Sequence, residues 1–187
     1  MNDHTRDDAA HPERIEHRME RTFEVAATPE QVWEAIATAD GLTAWMLPTQ
    51  LDPRIGGEVS FDLGGFVSTG VVTDYAPNQR FAFEEPWPIA DRPEDIPSEM
   101  VEWFESIGVS LSEVYRDLPS LSPIATEFLV AAASGGSSVI RVVTSAYGTG
   151  ADWENEFFTE MTAGWSELID NLSRLLAAAD QPEGSTR

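Results

Sequence analysis

From Phe23 to Phe61 the chain runs FEVAATPEQVWEAIATADGLTAWMLPTQLDPRIGGEVSF, and few folds accept that order of elements. A β-like FEV leads into Thr28-Pro29-Glu30, where a residue able to cap a helix precedes proline at the first helical position. The helix expected there, about Pro29–Ala37, carries Val32, Trp33 and Ile36 on one side. A second short apolar segment, about Gly41–Trp45, comes next. It is followed by a loop closed by Gly56-Gly57 and an alternating strand over Glu58–Leu63. The order is strand, two short helices, double glycine, strand.

Ahead of this stretch, Ile15–Val25 reads as a first strand with Met19, Arg21, Phe23 and Val25 on one face. Beyond it, strands are expected at Phe66–Tyr75 and Arg80–Glu84, with turns at Gly64-Gly65 and Ala76–Gln79. Two more, Ala125–Ala133 and Val139–Tyr147, flank the turn Ser134-Gly135-Gly136-Ser137. One long helix is expected from Asp152, its N-cap, to Ala179, stopped by Asp180-Gln181-Pro182. Trp153, Phe157, Met161, Trp165, Leu168, Leu172, Leu175 and Leu176 form an apolar stripe along it. Between the two groups of strands, Trp87–Ser122 contains a Pro-rich run and two helical patterns. The first is Met100, Val101, Trp103, Phe104 and Ile107. The second is Leu111, Val114, Tyr115 and Leu118, behind a Ser110-x-x-Glu113 capping box and separated from the first by Gly108.

These elements predict one α+β domain over residues 14–179, with an insertion at about 87–122, a disordered tail at 1–13 and a tail at 180–187. Its antiparallel sheet of about six strands must wrap on the long C-terminal helix to bury both apolar faces.

The order of elements resembles the START-like (SRPBCC) superfamily, in particular the branch of the activator of the heat-shock-protein-90 ATPase. The residues carrying the likeness are Pro29, Val32-Trp33, Trp45, Gly56-Gly57, Gly135-Gly136 and Gly-Trp-Ser-Glu-Leu at 164–168. They cover roughly Ile15–Trp87 and Ile124–Leu176; the insertion is longer than members of the superfamily usually carry. The resemblance implies the helix-grip (START-like, Bet v-like) fold, built around an apolar cavity between sheet and C-terminal helix.

The residues expected to line such a cavity are Trp45, Met46, Phe61, Phe83, Trp87, Trp103, Phe104, Phe128, Trp153, Phe157, Met161 and Trp165. Trp33 is expected to be core, under the sheet edge. Strand alternation puts Val59, Phe61 and Leu63 inward and Glu58, Ser60 and Asp62 outward. It sets Phe81 and Phe83 opposite Glu84, and Phe128 opposite Glu127. By that reading nearly every acid faces solvent, with Asp74 ambiguous. Arg141 should face outward, Arg21 could reach the cavity mouth, and Thr144 or Tyr147 could orient a ligand by one hydrogen bond. His17 is expected on the strand surface, and His4 and His11 in the tail. No histidine pair has metal-ligand spacing.

Composition removes several chemistries. The formal charge is −22, with 33 acids against 11 Lys plus Arg, and the sequence contains no lysine and no cysteine. Disulfides, thiolate nucleophiles and Schiff bases are thereby excluded. So acidic a surface repels phosphate, so neither nucleic acid nor a membrane is an expected partner. No stretch has the apolar length of a span or a signal peptide, and a cytoplasmic location is expected. The expected function is binding of a small hydrophobic or amphipathic molecule, without cofactor, metal or catalysis. The alternatives are an enzyme of the polyketide cyclase/aromatase type and, last, a partner that activates a chaperone ATPase. The insertion is expected to act as a lid over the cavity or as the contact of a homodimer.

Overall fold

The computed structural model describes residues 14–64 and 66–179. The tails at 1–13 and 180–187, with His4, His11 and the helix stop at 180–182, lie outside the described residues, as does Gly65 of one expected turn. Strand β1 is Ile15–Val25, followed by helices α1 (Pro29–Ile36) and α2 (Ala39–Trp45). Strands β2 (Thr49–Leu51), β3 (Glu58–Asp62), β4 (Val67–Ala76) and β5 (Arg80–Glu85) come next. Helices α3 (Ser98–Ser106) and α4 (Leu111–Asp117) precede β6 (Ile124–Ala132) and β7 (Ser138–Gly148). The chain closes with α5 (Asp152–Ala163) and α6 (Trp165–Ala179).

All seven strands join one antiparallel sheet in the order β1-β7-β6-β5-β4-β3-β2. The sheet therefore has one strand more than the six expected. The addition, β2, is three residues long and pairs only with β3, too short to leave an alternation in the sequence. The inner face carries Phe61, Phe81, Phe83, Phe128, Ile140 and Val142, all essentially inaccessible to solvent. Two residues at β3 depart from the alternation: Ser60, expected outward, is buried, and Leu63, expected inward, is largely exposed at the end of the strand.

Helix α1 starts as its sequence dictates. Thr28 accepts from the Gln31 amide, and the Gln31 side chain accepts in return from the Thr28 amide. Trp33 lies edge-on to Tyr75 with ring centres 5.0 Å apart, beneath the sheet. Gly135 and Gly136 of the β6–β7 turn both have φ near +80°, which side chains resist and glycine accepts.

The long C-terminal helix is present and packs against the sheet, but Gly164 divides it into α5 and α6. Thr162 Oγ1 accepts no helix amide; it donates to the Phe158 carbonyl at 2.8 Å, one turn back, next to the glycine. Both features weaken the helix ladder there. Asp152 is not the N-cap. Ala151 occupies that position without a side-chain bond, and Glu154 in the first turn reaches back to the approaching chain, accepting from the amides of Thr149 and Gly150 at 3.1 Å each.

On the outer face, Arg141 donates to Glu20 at 2.6 and 2.9 Å, as its outward register requires. Together with Arg18 it pulls the Glu20 carboxyl down to about 2. Arg80 bridges Asp74 (3.2 Å) and Glu127 (2.6 Å), so Asp74, at a bulge between β4 and β5, is committed to a surface pair. Among the described residues no helix is long and apolar enough to cross a membrane, and no group of three His, Asp or Glu is placed to hold a metal.

Candidate functional site

A cavity of about 170 Å³ lies between the sheet and the C-terminal helix. Its sheet wall comes from Phe61 on β3, Phe83 and Glu85 on β5, Ile124 and Thr126 on β6, and Thr144 on β7. Met161, Trp165 and Leu168 close it from α5 and α6, and Met46 and Leu47 from the end of α2. Leu63, Pro88 and Met161 are shared with an adjoining groove of about 470 Å³, which Met100, Trp103, Phe157, Glu99 and Glu160 also line. That groove in turn shares Phe66, Pro88, Pro97 and Met100 with a depression of about 530 Å³ beside Trp87, Asp91 and Asp95. The cavity alone falls below the ~300–1,000 Å³ of ordinary ligand sites, and cavity plus groove reach it.

The twelve residues expected at a cavity fall into three groups. Met46, Phe61, Phe83, Met161 and Trp165 line the cavity. Trp87, Trp103 and Phe157 line the groove and depression, and Phe104 borders a separate hollow beside Gly108. Trp45, Phe128 and Trp153 pack in the core behind these walls. Trp45 donates its indole N–H to the Ala35 carbonyl at 2.9 Å and meets Phe128 edge-on, which in turn abuts Trp165. Trp153 is fixed by Asp117 Oδ2 at 3.1 Å and by the rings of Trp87 and Phe104.

The cavity wall is not wholly apolar. Glu85 continues the alternation of Phe81 and Phe83 onto the inner face, half-buried, and accepts from Ser68 Oγ at 2.7 Å. Its neighbour on β4 is Gly70; a Cβ there would stand 3.1 Å from that of Glu85 and would collide with the Glu84 carbonyl. Burial pushes the Glu85 carboxyl above the usual carboxylate range, and the Ser68 hydroxyl offsets part of that rise. Thr126 and Thr144 stand side by side across β6 and β7 with hydroxyls 3.4 Å apart. The expectation that strand acids face solvent therefore fails at Glu85. Arg21, by contrast, is exposed and donates to the Glu20 carbonyl.

His17 is the second correction. It is buried, not on the strand surface, because the alternation of Met19 and Val25 carries it onto the inner face of β1. Its ring lies between Trp87 and Phe158, with Nε2 3.2 Å from Glu154 Oε2. This pair ties β1 to α5 and does not line the cavity.

A family model described as Activator of Hsp90 ATPase homolog 1-like protein matches residues 26–177. The chain belongs to that family. Solved structures agree on the fold of this activator-homologue chain. Protein MLL2253 from Mesorhizobium loti is 13% identical, with TM-score 0.61 over 88% of this chain and 100% of that one. The Aha1 dimer from Colwellia psychrerythraea is 16% identical, with TM-score 0.56 over 88% and 99%. CalU16 from Micromonospora echinospora is 13% identical, with TM-score 0.55 over 89% and 87%. Comparison with curated proteins gives no match. The helix-grip fold of the START-like superfamily is thus shown, with α1, α2, strands β2 to β7 and nearly all of the C-terminal helix inside the matched span and β1 just ahead of it.

Proposed function

We propose that this activator-homologue chain binds a small amphipathic molecule, without transforming it, in the cavity between the sheet and the C-terminal helix. One observation carries the reading: an apolar cavity with a few convergent polar groups, Glu85, Thr126 and Thr144, continues into a groove large enough for a ligand's remainder. The segment Trp87–Ser122 then serves as a lid rather than a dimer contact, since Met100 and Trp103 line the groove facing Phe157 and Met161. Phe61, Phe83, Met161 and Trp165 supply the apolar contact. Trp45, Phe128 and Trp153 hold those walls from behind.

A second reading, an enzyme of the cyclase/aromatase type, is favoured by Glu85 alone, an inward carboxyl of raised proton affinity in a mostly apolar cavity. Titration with the fluorescent amphiphile N-phenyl-1-naphthylamine separates occupancy from surface adsorption. The expected result is one saturable site, lost in Thr144→Met, which fills the cavity, with circular dichroism checking that the variant is folded. Equal binding by the wild type and Thr144→Met would defeat the cavity reading.

A further inference from the structure

Every charged side chain lining the cavity and its groove is an acid. Glu85 stands in the cavity wall, Glu99 and Glu160 in the adjoining groove, and Asp91 and Asp95 in the depression beyond. No Arg or His contributes to any of these linings, and the sequence has no lysine to swing in. A carboxylate or phosphate entering along this path would meet like charge at each stage, with no cation to offset its desolvation.

Glu85 itself is set up to receive a donor. Among the described residues Ser68 Oγ is its one hydrogen-bond donor, and that bond goes to Oε1. No buried side-chain oxygen among the described residues lacks a partner, so Oε2, which has none, is not sealed in protein. Glu85 also lines the cavity. Gly70 keeps the space beside it free of a side chain. The Thr126 and Thr144 hydroxyls supply further acceptors on the same wall and no positive charge.

From this arrangement we infer that the site selects a cationic amphiphile: an aromatic or aliphatic body carrying a protonated amine, with the ammonium donating to Glu85 Oε2. The inference rests on the proposed cavity and adds the ligand's charge. An ammonium offsets the cost of burying the carboxylate, which the Ser68 hydroxyl offsets only in part and no cation among the described residues does. Charge-assisted hydrogen bonds of this kind are stronger than neutral ones. The chain's formal −22 works in the same direction at longer range, concentrating cations at the mouth.

Three probes with one naphthalene body test it: 1-naphthylmethylamine, 1-naphthalenemethanol and 1-naphthaleneacetic acid, titrated by calorimetry at pH 7. The expected order is amine, then alcohol, then acid, with the amine roughly ten-fold or more tighter than the alcohol. In Glu85→Gln the margin of the amine over the alcohol should vanish. If the alcohol binds and the amine gains nothing over it, or if Glu85→Gln keeps the amine's full advantage, the inference is overturned and the cavity stands. If the acid binds best, the inference is overturned as well. If none of the three binds, the cavity reading falls and takes the inference with it.

Discussion

His17 Nε2 and Glu154 Oε2 lie 3.2 Å apart with both side chains buried, and this contact locks the first strand onto the helix that roofs the cavity. Glu154 also accepts from Thr149 Oγ1 (2.5 Å) and from the amides of Thr149 and Gly150. One carboxylate thus ends β7, starts α5 and holds β1. A side chain at Gly148 would overlap it.

Removing the carboxylate leaves a buried imidazole and the amides of Thr149 and Gly150 without their partner. Glu154→Ala should destabilise the fold by about 3 kcal/mol, the scale of breaking one side of a buried pair. Urea denaturation reads this directly. A loss under about 0.5 kcal/mol would mean that the contact is incidental.

Glu85 should act in the opposite sense. Its folded-state proton affinity is raised above the unfolded value by burial, so its contribution to stability is fully present below about pH 4 and is lost as pH rises through the folded value. Glu85→Gln keeps the shape and removes the charge. It should melt about 2 °C or more above the wild type at pH 7.5, the scale of roughly 1 kcal/mol in a domain of this size. The gain should shrink to nothing near pH 4. A melting temperature lowered equally at every pH would show that the carboxylate is structural, not a cost carried at a binding site.

Asp117 joins the segment over the groove to the C-terminal helix, accepting from Trp153 Nε1 at 3.1 Å and from Arg116 Nε at 2.9 Å. The Arg116 guanidinium, and after it the Trp153 indole, hold its carboxyl below the usual range against the cost of burial. Its contribution is therefore present above about pH 4 and is lost as pH falls through the depressed value. Asp117→Ala should cost about 1–2 kcal/mol. Limited proteolysis at pH 7 should cut within Trp87–Ser122 about ten-fold faster than in wild type, with the sheet intact. Cleavage that instead spreads through the sheet strands would place Asp117 in the core of the fold.

Much of this was written in the alternation and the caps. The Thr28 and Ser110 capping boxes, the β6–β7 turn and the inner aromatic faces all lie in short windows where local chemistry decides structure. Glu85 and His17 were legible too. Each sits two residues beyond a run whose facing was already plain, Phe81-x-Phe83 and Met19-x-x-x-x-x-Val25, and the period of two had only to be carried on. The break at Gly164 and the three-residue β2 leave weaker marks, since a glycine inside a helical stripe is usually tolerated. No local signal marks the partners Glu154 and Asp117. They are 137 residues from His17 and 36 from Trp153, and only the folded sheet and helix bring each pair together.

The most direct test of the cavity uses its methionines. The chain has five, of which Met46 and Met161 line the cavity, Met100 lines the groove, and Met19 is buried on β1 away from both. With methionine methyls labelled in ¹³C, titration of N-phenyl-1-naphthylamine should shift Met46 and Met161 together along one saturable curve. Met100 should follow and Met19 should stay in place. Saturable shifts at Met100 alone, with Met46 and Met161 unmoved, would place the ligand outside the helix grip and contradict the binding site proposed for this family member.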